Sequence, residues 1–113
     1  MTYEMKKLIS GYVVSIRKIY GEHLKRVILY GSYARGDYTK DSDIDIMLLV
    51  DLDEAELDEF ANALSELDFE YNVKYGIWMM PIVKNEKNFY QWSDIYQLYK
   101  NIKEEGISLY EAA

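Results

Sequence analysis

The stretch from Arg26 to Val50 constrains this chain more than any other. A short apolar run, Arg26-Val27-Ile28-Leu29-Tyr30, ends at Gly31-Ser32. Eleven residues after Ser32 comes the triplet Asp43-Ile44-Asp45, and a second apolar run, Ile46-Met47-Leu48-Leu49-Val50, follows at once. Both runs read as buried strands, and the Gly-Ser pair forces a sharp turn at the end of the first. A strand sends residues i and i+2 to one face, so Asp43 and Asp45 project side by side with Cα atoms roughly 6.6 Å apart. Two carboxylates about 6 Å apart repel by roughly 3 kcal/mol at an effective dielectric near 20. Asp37 and Asp41 add to the same field, and between Gly31 and Val50 only Arg35 and Lys40 are cationic. A hard, oxygen-seeking ion such as Mg²⁺, held by one or two carboxylates plus substrate phosphates, answers that charge. The structural alternative is that Asp43 opens the strand and Asp45 pairs with Arg35.

Gly31 permits close backbone approach, and Ser32 stands where a helix would begin. Its hydroxyl and the free N–H groups after it could hold a phosphate that the metal also binds. A Gly-Ser pair alone is more often a plain N-cap turn. Joined to the Asp-x-Asp pair on the following strand, it describes one site.

The arrangement Gly31-Ser32-x-Ala34-Arg35-Gly36 followed by Ser42-Asp43-x-Asp45 resembles the signature of the minimal nucleotidyltransferases, the smallest branch of the polymerase-β-like superfamily. The resemblance implies an α/β (α+β) fold, a small mixed sheet flanked by helices. It implies an NTP with Mg²⁺ at the Gly31-Ser32 turn, Asp43 and Asp45 as catalytic and metal-binding residues, and transfer of a nucleoside monophosphate with loss of pyrophosphate. For many such stand-alone domains it further implies a small helical partner of the HEPN type, the two behaving as antitoxin and toxin.

The 113 residues suit one domain, 1–113, enough to bury about two-thirds of the surface of the unfolded chain, with no second module expected. The net charge of −7 argues against a nucleic-acid backbone as ligand, since no Lys/Arg stripe is available to neutralise phosphates. There are no cysteines, no apolar run near the roughly 20 residues of a membrane span, and no apolar segment after Met1 of the kind a secretion signal needs. The expected location is cytoplasmic.

From about Tyr3 to Leu24, Met5, Leu8, Ile9, Tyr12, Val13, Ile16 and Tyr20 follow the spacing of an amphipathic helix. His23, the single histidine, is expected as a cation near its C-terminus. A second amphipathic helix is expected from Asp53 through Leu67, with a solvated acidic face. Tyr71 to Met80 is rich in strand formers and ends at Pro81, which predicts the third strand there. The resemblance implies a further carboxylate near the start of that strand, and the aligned position is Asn72, a weak ligand that cannot act as a base. Glu70, and beyond it Asp68, share its face by the period-2 rule, so Glu70 is the candidate replacement ligand if the strand begins early. Asn88 to Glu105 reads as helical, with Ser93 as N-cap of a longer helix from Asp94 and Gly106 as its stop. Its aromatics cover more than one face. They are either half-buried edges of a small core or a contact with a second chain, another copy or a different protein.

The expected chemistry is transfer of AMP from ATP, with the acceptor hydroxyl presented by a partner. Arg35 either touches a phosphate or holds the loop through an ion pair. Two other functions compete: a binding module that neutralises its partner by occlusion, and a transferase acting on a small hydroxylated molecule.

Overall fold

The computed structural model describes residues 1–113, and its first element, α1 (Tyr3–Tyr20), follows the apolar stripe. Thr2 caps it by accepting from the Met5 N–H at 3.1 Å, and Gly21 at φ +58° ends it. A 3₁₀ turn, Gly21–His23, leads into β1 (Leu24–Tyr30). His23 therefore lies beyond the helix rather than at its end, and its Nδ1 is 2.7 Å from Asp51 Oδ1.

A four-residue helix, α2 (Ser32–Arg35), and a loop connect β1 to β2 (Ile44–Val50). The chain continues through α3 (Glu54–Leu57), a 3₁₀ turn Asp58–Phe60, α4 (Ala61–Tyr75), β3 (Met79–Asn85), α5 (Glu86–Trp92), α6 (Gln97–Glu105) and β4 (Ile107–Glu111). Asp53 and Glu56 form a reciprocal capping box at the start of α3, which gives the expected acidic first turn a structural purpose. The four strands lie in the order β3-β2-β1-β4; β1 is antiparallel to β2 and β4, and β2 is parallel to β3. This is the expected mixed sheet flanked by helices.

Strand alternation splits the core into two layers. Val27, Leu29, Ile46 and Leu48 face α1 and α4, where Ile9, Tyr12, Ile16, Leu67 and Tyr71 complete the larger cluster. Ile28, Met47 and Leu49 face the other way, against Phe89 of α5 and Ile102 of α6. Asp45 shares the parity of Met47 and Leu49, so the layer that α6 covers is also the layer of the acidic pair.

Three expectations fail, each for a packing reason. Tyr71 to Tyr75 is helix, not strand: Leu64, Leu67 and Tyr71 continue the helical stripe onto α1, and Gly76 at φ +67° closes α4 with its N–H on the Asn72 carbonyl. The third strand starts only at Met79 and runs through Pro81, which an edge strand tolerates because its outer side forms no ladder. Ser93 is not an N-cap; its buried hydroxyl donates to the Tyr90 carbonyl at 2.9 Å where α5 ends, and α6 begins at Gln97. Gly106 does stop α6, and the strand after it, β4, had no sequence expectation.

Candidate active site

The site forms where β1 gives way to α2. Gly31 adopts φ +73° and ψ −154°, a conformation essentially confined to glycine, and its carbonyl accepts from Ala34 and Arg35 N–H at 3.1 and 3.0 Å. Steric room imposes a second requirement: a Cβ on Gly31 would sit 2.3 Å from Asp45 Oδ2. The turn backbone and the Asp45 carboxylate are thus in direct apposition. Gly36, at φ +87°, closes α2.

The loop that follows is tied locally. Ser42 Oγ accepts from Thr39 N–H at 2.9 Å, Thr39 Oγ1 from Asp41 N–H at 3.3 Å, and Tyr38 stacks on the buried Tyr33 with ring centroids 4.3 Å apart. It delivers the exposed Asp43 immediately before β2, whose first N–H, from Ile44, donates to the Trp78 carbonyl at 2.9 Å. Asp45, one residue further on and only partly exposed, pairs with Tyr30 across β1 and with Met80 across β3.

Electrostatics agree with the sequence argument. Burial, then repulsion from Asp43, holds the Asp45 carboxyl above the ordinary carboxylate range, and Arg35 offsets this only in part. Tyr30 is pushed up to about 12 by burial and by the nearby Asp45 charge. The pair is short of positive charge, and its hard oxygen donors fit a divalent ion. Arg35 is not bonded to Asp45: Nε lies 3.3 Å from Asp37 Oδ2 and Nη1 3.7 Å from Glu105 Oε2. An ion-paired loop is therefore the arrangement observed for Arg35.

A cleft of about 340 Å³ opens here, its floor made by Tyr30, Gly31, Ser32 and Asp45 and its opposite wall by Leu98, Asn101 and Glu105 of α6. A larger cavity of about 640 Å³ lies near the other end of β1, around Lys25, Arg26 and Lys87, and contains neither Asp43 nor Asp45.

Gly31, Ser32 and Asp45 line one cleft, and Asp43 is near enough to Asp45 to raise its carboxyl, whereas the candidates for an additional carboxylate lie elsewhere. Asp68, Glu70 and Asn72 lie on α4, so no strand face links them. Asp68 accepts from the Tyr12 hydroxyl at 2.6 Å in the layer on the opposite side of the sheet, and Glu70 is exposed on the helix surface. The strand beside Asp45 begins Met79-Met80 and contains no acid, and no group of three or more acidic or histidine side chains is placed to share an ion. The α6 wall, with Asn101 and Glu105, escaped sequence reasoning because only packing brings it over the sheet. The available signal was Gly106, where a Cβ would lie 2.3 Å from the Ile102 carbonyl oxygen and 2.4 Å from Ile28 Cγ2, so glycine lets α6 end close against β1.

The turn, the acidic pair and the mixed sheet coincide with a family described as a nucleotidyltransferase domain, which matches residues 11–109. The chain belongs to this nucleotidyltransferase family. Two proteins of Methanocaldococcus jannaschii, each bearing the name "Putative protein adenylyltransferase", are both 36% identical to it. One aligns over 108 residues, 93% of this chain and 97% of the relative; the other over 80 residues, 71% and 79%. Among solved structures, a toxin-antitoxin with AMP-PNP superposes with a TM-score of 0.58 at 19% identity, covering 91% of this chain and 73% of the other. A mutant of the toxin-antitoxin MntA-HpeT gives 0.57 at 16% identity with the same coverage. The two structures share the fold of this nucleotidyltransferase. None of its helices is long and apolar enough to cross a membrane.

Proposed function

We propose that this nucleotidyltransferase transfers AMP from ATP, with Mg²⁺, to a hydroxyl on a HEPN-type protein partner, and acts as that partner's antitoxin. The observation that carries the reading is the apposition of the Gly31 turn to Asp45, 2.3 Å from where a Cβ would stand. It puts the start of a helix that no side chain caps beside the Asp45 carboxylate, in one cleft. The names of the relatives support a protein acceptor, and the toxin-antitoxin neighbours support the kind of partner.

Gly31 and Ser32 would hold the β and γ phosphates through backbone N–H groups and the Ser32 hydroxyl. Asp43 and Asp45 would hold the ion, which when bound neutralises charge on the phosphates and on the developing transition state. Arg35, on the same turn, adds positive charge to the cleft. The acceptor oxygen forms a bond to the α-phosphorus as the bond to pyrophosphate breaks, and its proton passes to solvent. We read residues 1–113 as one domain, and the need for ATP places the reaction in the cytoplasm.

A second reading has its own observation. The strand beside Asp45 carries no acid, while Trp92, Ile95, Tyr96 and Leu98 are exposed around the α5–α6 junction. This combination suits a module that neutralises a partner by occlusion. Incubation with labelled ATP, Mg²⁺ and the co-expressed product of the neighbouring gene separates the two. Transfer predicts label on the partner, lost in Asp43→Asn and Asp45→Asn. Occlusion predicts a complex that both variants still form, with no label at all.

A further inference from the structure

Asp45 has two cross-strand neighbours, Tyr30 of β1 and Met80 of β3. Met80 turns to the same side as Asp45, because Met79 is buried in the opposite layer and Ile82 packs in the layer of Met47. The residue is 47% exposed, so it stands beside Asp45 at the surface of the sheet and not within the core. Two residues back, alongside Asp43, is the exposed Trp78. A thioether is a soft, neutral donor and an indole N–H only donates, so neither holds a hard divalent ion.

We infer that this site takes one divalent ion with its nucleotide, and that Met80 is the residue that sets the number. The inference rests on the nucleotidyl-transfer reading above. Asp43, Asp45, phosphate oxygens and waters complete one octahedral shell. A second ion about 3.5–4 Å from the first needs an anionic protein oxygen of its own. On the β1 side of Asp45 stands Tyr30, and on the β3 side Met80. Glu105 comes from α6 but lies against Arg35, and no third acidic side chain is placed to share an ion with the pair. The second position therefore lacks an anionic protein ligand, and the residue paired with Asp45 on β3 is Met80.

The test counts ions directly. Mn²⁺ is titrated into the full chain with saturating α,β-methylene-ATP, and free Mn²⁺ is read by electron paramagnetic resonance. The wild-type chain retains one nucleotide-dependent Mn²⁺, with any second ion held at least about tenfold more weakly. Met80→Asp retains two with comparable affinity, because its carboxylate enters beside Asp45. Met80→Asn, with a neutral oxygen, stays at one. Two tight ions on the wild-type chain overturn the inference and leave the transfer reading standing. A single ion on a folded Met80→Asp overturns the role of Met80. Failure of the wild-type chain to retain any Mn²⁺ with the nucleotide overturns the transfer reading and this inference with it. The wild-type count is decisive even if the Asp variant folds poorly.

Discussion

Replacing Gly31 by alanine should separate the two demands that position meets. At φ +73° and ψ −154° an alanine backbone is strained by about 1–3 kcal/mol, partly offset by the lower entropy of the unfolded chain. The new Cβ would also stand 2.3 Å from Asp45 Oδ2, where ordinary contact begins at 3.4 Å, so the carboxylate must retreat by about 1 Å. A displacement of that size at a reacting centre costs on the order of 10²-fold in rate. Gly76→Ala supplies the control: it is left-handed at φ +67°, has nothing within 4 Å of an added Cβ, and closes α4 away from the turn. Both variants should lose about 1–2 kcal/mol in urea unfolding. Only Gly31→Ala should lose Mg·ATP affinity in calorimetry and AMP transfer. If Gly31→Ala binds Mg·ATP within threefold of Gly76→Ala, the claim that this turn and Asp45 form one site is wrong.

Other consequences can be checked separately. Asp68 is raised by burial to about 6 although the Tyr12 hydroxyl donates to it, so the native state keeps a proton that the unfolded chain, near 3.9, has released. Its contribution to stability therefore falls as pH rises from 4 to 6, by about 1 kcal/mol once solvent screening of this half-buried carboxyl is discounted, and is flat above. Asp68→Asn, which still offers Tyr12 an acceptor, should lack that slope when unfolding is compared between pH 4 and 7.5. Gly106→Ala forces a Cβ against the Ile102 carbonyl and Ile28, and should cost about 1–3 kcal/mol by thermal or urea unfolding. Glu105→Gln breaks an ion pair whose members are 47% and 44% exposed, so its effect on stability should stay within about 0.5 kcal/mol.

Local patterns made half of this fold readable. The stripe from Met5 to Tyr20 satisfied the helical period, the runs ending at Tyr30 and Val50 were short and continuously apolar, and each became the expected element. Gly31, Ser32, Asp43 and Asp45 were legible because a turn and a strand place them without help from distant residues. The segment from Tyr71 to Tyr75 was misread because Tyr71, Val73 and Tyr75 alternate like a strand; packing of Leu67 and Tyr71 against α1 outweighed that preference. The left-handed Gly76 was the overlooked boundary. The error then moved the third strand and attached weight to Asn72 and Glu70, when the register sets Met80 beside Asp45. Asn101 and Glu105 were missed, since Gly106 signals only a close end to α6 and packing alone brings that helix over the cleft.

The central claim is that Asp43 and Asp45 hold an ion against a triphosphate seated on the Gly31-Ser32 turn. Calorimetric titration of ATP into the chain with saturating Mg²⁺ tests it most directly. The account predicts saturable uptake of one ATP per chain that disappears without Mg²⁺ and in a folded Asp45→Asn variant. Equal heats from wild-type and Asp45→Asn chains, or no heat from either, would contradict it.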